Sequence, residues 1–193
     1  MAEALEDAVE SEGKDKKVAI LIAILALFLA LAEAGGKNAQ HLSTEKNIEA
    51  SDLYNFYQAK KVRSTIDETS AAAMAVNRLA ATDQKVQEAM DKQIEEWKGA
   101  VKRFESDPKA PQDSMEKILE RAKEAKETQE LGNHKLEHYE LASGLIQVAI
   151  VLASAAIITG VAALAFLSVG LGVVGAVILA FGYFAPTVLT LLG

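Results

Sequence analysis

Apolar and polar positions fall in long blocks along this chain. From Leu141 to Gly193 there is no Asp, Glu, Lys, Arg or His. A helix crosses the roughly 30 Å hydrocarbon core of a bilayer with about 20 apolar residues, so this tail has room for two crossings and a tight turn. A shorter apolar run covers Val18–Ala32, and a highly charged stretch separates the two. The block pattern predicts an all-α integral membrane protein with three transmembrane helices and a long helical, coiled-coil-like soluble middle. The expected order is an acidic tail at 1–17, a first span at 18–36, a soluble helical hairpin at 37–141 and a membrane hairpin at 142–193. Within that hairpin, helices are expected at about 142–167 and 171–192, joined through Ser168–Gly172. Pro186 is expected to kink or end the last helix, because it removes a backbone donor.

The first apolar run is short enough to raise the question of a cleaved signal peptide. The acidic residues ahead of it and the helical sequence after it favour an uncleaved anchor. Gly35 and Gly36 extend the span, and Lys17 can reach the surface along its aliphatic stem.

Inside the soluble middle the period changes to that of surface helices. Val86, Met90, Ile94, Trp97, Val101 and Phe104 recur at steps of three and four, a narrow seam of the coiled-coil kind. Leu53, Phe56, Tyr57, Val62 and Ile66 make a broader face. Pro108 and Pro111 break the helical pattern over 106–113, after which Asp113 and Glu116 have the spacing of a capping box. As one helix, residues 38–106 would reach about 100 Å, against about 42 Å for residues 114–141. That mismatch points to a second break, placed at Ala81–Gln84 with Thr82 or Asp83 as N-cap.

The apolar spans carry small residues at helical spacing: Ala19, Ala23, Ala26 and Ala30; then Ala149, Ala153, Ala156, Gly160 and Ala163; then Ser168, Gly172, Ala176 and Ala180. In lipid, close backbone approach through small residues favours helix association. Ala23, Ala30, Ala156, Gly160, Gly172 and Ala176 are therefore the expected packing positions.

Composition narrows the chemistry. The formal net charge is −7 and the chain has 0 Cys, which removes thiolate metal sites and cysteine nucleophiles. An acidic balance argues against nucleic acid, which needs a basic stripe. No Gly-rich phosphate loop, nucleophile motif or H-E-x-x-H is present, so a non-enzymatic protein without a cofactor is expected. His134 and His138 lie four apart on one helix face, and His41 lies about as far beyond the first span as His138 lies before the second. Packed together, these three form a candidate metal layer; ordinary polar residues at a membrane boundary are the alternative. Tyr54, Phe56 and Tyr57 beside Lys60, Lys61 and Arg63 could meet lipid headgroups or a protein, or simply form a helix contact with a solvated flank.

Gly35-Gly-Lys-Asn-Ala-Gln40 follows the first span, and Glu49-Ala-Ser-Asp-Leu-Tyr-Asn-Phe-Tyr-Gln-Ala-Lys-Lys-Val-Arg63 opens the middle. With the apolar C-terminal pair, these segments make the chain resemble the bacterial membrane proteins grouped as domain of unknown function 4337. The core of the resemblance is Ser51-Asp52 and Tyr57-Gln58-Ala59-Lys60. A tryptophan often stands in that family where this chain has Tyr54. The resemblance implies a bacterial membrane setting and no established activity.

Lys14, Lys16 and Lys17 beside the first span favour a cytoplasmic N-terminus and a periplasmic middle at the bacterial inner membrane. The reading is a membrane-anchored assembly or scaffold protein, with the lipid bilayer and either further copies or a membrane complex as partners. Ile94, Trp97 and Val101 are its expected interaction residues, together with Tyr54, Phe56, Tyr57 and Lys60. A pore built from the apolar hairpin and a histidine metal protein are the alternatives.

Overall fold

A computed structural model describes the backbone of residues 2–187 and the side chains of residues 15–187. The described residues form four α-helices: α1 Ala2–Ala80, α2 Gln84–Glu105, α3 Met115–Thr159 and α4 Ala162–Phe184, with a 3-10 turn at Pro111–Asp113. The acidic side chains before Asp15, and the part of the expected last helix beyond Thr187, lie outside the described residues. Among the described residues, three helices are long and apolar enough to cross a membrane. The chain divides into two units, Met1–Thr44 with Gln129–Gly193, and Glu45–Thr128.

The 45–128 unit resolves the length mismatch. Its stretch of α1, residues 45–80, is about 54 Å long. The 22-residue α2 covers about 33 Å of it and the opening turns of α3, residues 115–128, about 21 Å. One long helix is thus lined by two shorter ones placed end to end. The chain reverses at 81–83, where the Asp83 carboxylate accepts from the Lys85 amide at 2.8 Å, as an N-cap does. Arg78, in the last turn of α1, holds Asp91 of α2 with two nitrogens, one at 2.7 Å. The second cap differs from the expectation. Ser114, not Asp113, is extended and accepts from the Lys117 amide at 3.3 Å. Asp113 belongs to the 3-10 turn, whose Pro at the first position fixes the backbone. Its carbonyl accepts instead from the Lys60 ammonium. Leu53, Ile118 and Ala122 form the buried core here, flanked by Tyr54 and Tyr57.

The other unit packs the first part of α1 against α3 and α4 around Leu25, Ile146 and Ala149. The turn between the apolar helices falls at Gly160–Val161, not at Ser168–Gly172. Gly160 has φ +70°, a left-handed conformation that favours glycine, and Val161 is extended. Ser168 and Gly172 lie inside α4 because they are needed for packing. The Ser168 hydroxyl donates to the Ala149 carbonyl at 2.7 Å. A Cβ on Gly172 would sit 2.5 Å from Leu25 Cδ2, and one on Gly175 would sit 2.7 Å from Ile146 Cγ1. α4 stops before Pro186, with the Ala185 amide bonded to the Phe181 carbonyl at 2.8 Å.

Candidate functional site

The small-residue faces of the apolar unit are only partly those the spacing predicts. On α3 the stripe is used: Ala142, Ile146, Ala149, Ala153 and Ala156 are buried. On α4 the buried positions are Ser168, Gly172, Gly175 and Gly182, while Ala176 is half-buried and Ala180 exposed. On α1 the stripe points outward. Ala19, Ala23, Ala26 and Ala30 are all exposed, and Leu25, Ala32 and Gly36 are the buried positions of the first span. The physical reason is that α4 supplies the smooth surface. Its glycines form notches, so α1 contributes the Leu25 knob and has no need of its alanine face. Gly160 is spent on the turn.

The same notch-and-knob pairing continues at the end of the bundle nearer the charged sequence. The Tyr139 ring of α3 lies over Gly35, whose Cβ would meet it at 2.8 Å, and a Cβ on Gly36 would stand 3.5 Å from the Tyr139 Cβ. This contact explains why the Gly35–Gly36 pair leaves α1 unbroken despite a helix propensity about 1 kcal/mol per residue below alanine. Gly132 is the tightest backbone approach: its Cβ would stand 3.1 Å from the Ser43 amide nitrogen and 3.2 Å from its Cα. Beside it the Ser43 hydroxyl donates to Asn133 Oδ1 at 2.5 Å.

The three histidines differ in exposure. His41 is exposed, His134 half-buried and His138 fully buried. His138 Nδ1 lies 2.7 Å from the His134 carbonyl, and its Cβ lies 2.8 Å from where a Gly182 Cβ would be. His134 Nδ1 faces Glu137 at 3.8 Å. Among the described residues no group of three His, Cys, Asp or Glu could hold a metal ion.

The aromatic–basic cluster is largely absorbed by the 45–128 unit. Tyr54 and Tyr57 pack on the Leu53–Ile118–Ala122 core. Lys60 sits 5.2 Å above the Phe56 ring centroid as well as bonding the Asp113 carbonyl. Phe56, Lys61 and Arg63 remain exposed. The α2 seam is also largely occupied within the chain, Val86 remaining exposed. Ile94 is buried, and with Val101 it shares a cleft with Ala71, Ala72 and Ala75 of α1. Trp97 is half-buried.

What sequence reasoning missed is a cleft of about 820 Å³ between α1, α3 and α4. Phe28, Leu31, Ala176 and Leu179 line one part of it, and Asn38, Lys135, Tyr139 and Tyr183 are its polar wall residues. Periodicity signals a buried face, but a cleft is a property of three helices meeting, so no single segment announces it.

A family model described as a domain of unknown function (DUF4337) matches residues 14–185. The chain belongs to the DUF4337 family. The match takes in α3 and α4, α1 from residue 14 onward, and both glycine contacts of Tyr139 and His138. No curated protein and no solved structure matches the chain.

Proposed function

We propose that this DUF4337 protein is a non-enzymatic, membrane-anchored helical assembly protein that self-associates through the outward face of α1. The observation that carries this reading is an unpartnered seam. Ala59, Val62, Ile66, Thr69, Ala73, Val76 and Ala80 alternate in steps of three and four and are all exposed. Val62, Ile66 and Val76 are 57%, 56% and 66% exposed. Such a seam has the 3.5-residue period that lets two helices bury apolar knobs along their length. It lies opposite the face of α1 that carries buried Ser64 and Ala71. It therefore replaces the α2 seam, which is already used inside the chain, as the surface for a second copy.

Membrane anchoring is supported by the outer faces of the apolar unit. Ile20, Leu27, Val151, Ile158, Phe166 and Phe184 are each more than 60% exposed. Contiguous apolar surface of this kind marks a membrane or protein contact, and lipid covers it without cost. Lys16 and Lys17, together with Lys14, favour a cytoplasmic N-terminus, which supports a reading with the charged unit on the periplasmic side of a bacterial inner membrane. A pore would have to form between copies, because within the chain Gly172 and Gly175 are packed against Leu25 and Ile146. Among the described residues no group of three potential ligands supports a metal site.

The test is the mass of the full chain extracted from membranes in mild detergent. Val62→Glu with Ile66→Glu introduces charge on exposed positions, so the fold survives and the oligomer dissociates to monomer. An unchanged mass would overturn the seam. Ile94→Glu is unsuitable for this purpose, since it places a charge in the contact between α1 and α2.

A further inference from the structure

We propose that the cleft between α1, α3 and α4 binds one anionic phospholipid, an inference that rests on the membrane reading above. The cleft is polarised along its length. α1 and α4 both run antiparallel to α3, with Gly35 beside Tyr139 and Gly182 beside His138. Moving away from Lys135, the wall passes from Asn38 to Leu31 and Phe28 on α1, and from Tyr183 to Leu179 and Ala176 on α4. Asn38 and Phe28 are ten residues apart on one helix, about 15 Å. That equals roughly half of a 30 Å hydrocarbon core, the depth one acyl chain covers. The volume, about 820 Å³, lies within the roughly 300–1,000 Å³ of small-molecule sites.

The polar end selects the headgroup. Lys135 is the one charged residue among the described lining residues. Among the described residues no hydrogen bond or ion pair engages its ammonium, nor the Asn38 amide. A phosphate at this level accepts from both. Among the described lining residues no carboxylate is present to receive the ammonium of a zwitterionic headgroup, so charge complementarity favours a lipid with net negative charge. Lys135 lines the cleft, and a lysine at a membrane surface lays its aliphatic stem along apolar surface with its charged head in water.

The experiment is native mass spectrometry of the full-length protein, delipidated in mild detergent and titrated with phosphatidylglycerol or phosphatidylcholine. One phosphatidylglycerol per chain is expected, bound at least tenfold more tightly than phosphatidylcholine. Lys135→Met is expected to weaken phosphatidylglycerol about fivefold, the weight of one lysine at an anionic surface. Lys135→Arg is expected to retain binding and Ala180→Phe, which fills the cleft, to abolish it. Lys37→Met, on an exposed residue outside the lining, is expected to change nothing. Equal affinity for the two lipids, or a Lys135→Met protein that binds as wild type does, would overturn the site. Resistance to alkaline carbonate extraction is measured in parallel. A chain released by carbonate overturns the membrane reading and this inference together, whereas a retained chain with no lipid preference overturns the lipid site alone.

Discussion

Gly132 offers the sharpest separation between helix propensity and tertiary contact. It lies inside α3, where replacing glycine by alanine ordinarily gains about 0.8–1 kcal/mol. Its Cβ position, however, is 3.1 Å from both Ser43 Cβ and the Ser43 amide nitrogen, and 3.2 Å from its Cα. Two of those atoms are helix backbone, which cannot rotate away as a side chain does. α1 and α3 must separate by a few tenths of an ångström, against a Ser43–Asn133 hydrogen bond of 2.5 Å that holds them together. Overpacking of this kind costs about 1–3 kcal/mol, so Gly132→Ala is expected to destabilise the contact by a net ~0.5–2 kcal/mol. Gly99, inside α2, is the control. Its Cβ would meet only the far end of the Arg103 side chain at 3.4 Å, and Gly99→Ala is expected to stabilise by about 0.5–1 kcal/mol. The assay is hydrogen exchange of the detergent-solubilised protein, read in peptides spanning 39–47, 128–136 and 95–103. Local opening reports local stability. Exchange in the first two peptides should speed up roughly 2- to 30-fold in Gly132→Ala. In Gly99→Ala the third should slow several-fold. A Gly132→Ala protein that exchanges no faster than wild type across 39–47 and 128–136 would refute the close-approach reasoning.

Three further perturbations test individual features. Ser114→Ala should cost about 1 kcal/mol by loss of the cap, while Asp113→Ala should cost less, since its carbonyl rather than its carboxylate meets Lys60; chemical denaturation followed by circular dichroism ranks the two, and the reverse order would restore Asp113 as the cap. Gly160→Ala places a Cβ on a backbone at φ +70° and should cost ~1–2 kcal/mol, seen as faster exchange at 157–164; no change there would argue against the turn. The hydrogen bond from Lys46 holds the Glu49 carboxyl below its ordinary 4.5, so the native state takes up this proton less readily than the unfolded chain. The pair therefore contributes above pH 4.5 and loses its contribution as pH falls through the lower native value. The stability gap between wild type and Glu49→Gln should accordingly be small, as for exposed pairs, and should vanish in acid. A gap that widens on acidification would contradict the sign.

The sequence by itself determined the helical class, the family and the three apolar segments, because each depends on composition within one segment. It also located the reversal at Ala81–Asp83, where helix-length arithmetic and a capping residue agreed. Tertiary structure decided which face of each segment is used. Ala19, Ala23, Ala26 and Ala30 of α1 have the same spacing as Ala149, Ala153 and Ala156 of α3, yet only the latter are buried, since the glycines of α4 had already provided the recess that Leu25 fills. Ser168–Gly172 has the composition of a turn, and only the packing of Gly172 against Leu25 shows it to be a helix interior. The turn went to Gly160, whose positive φ no periodicity encodes. The α2 seam was legible as a seam, but its partner was not, because a stripe of apolar residues specifies that it will be covered and not by what. The candidate site is the extreme case. Lys135, Asn38, Phe28 and Ala176 come from three helices, and their common cleft exists only where the register of those helices, set by glycine notches, brings them together.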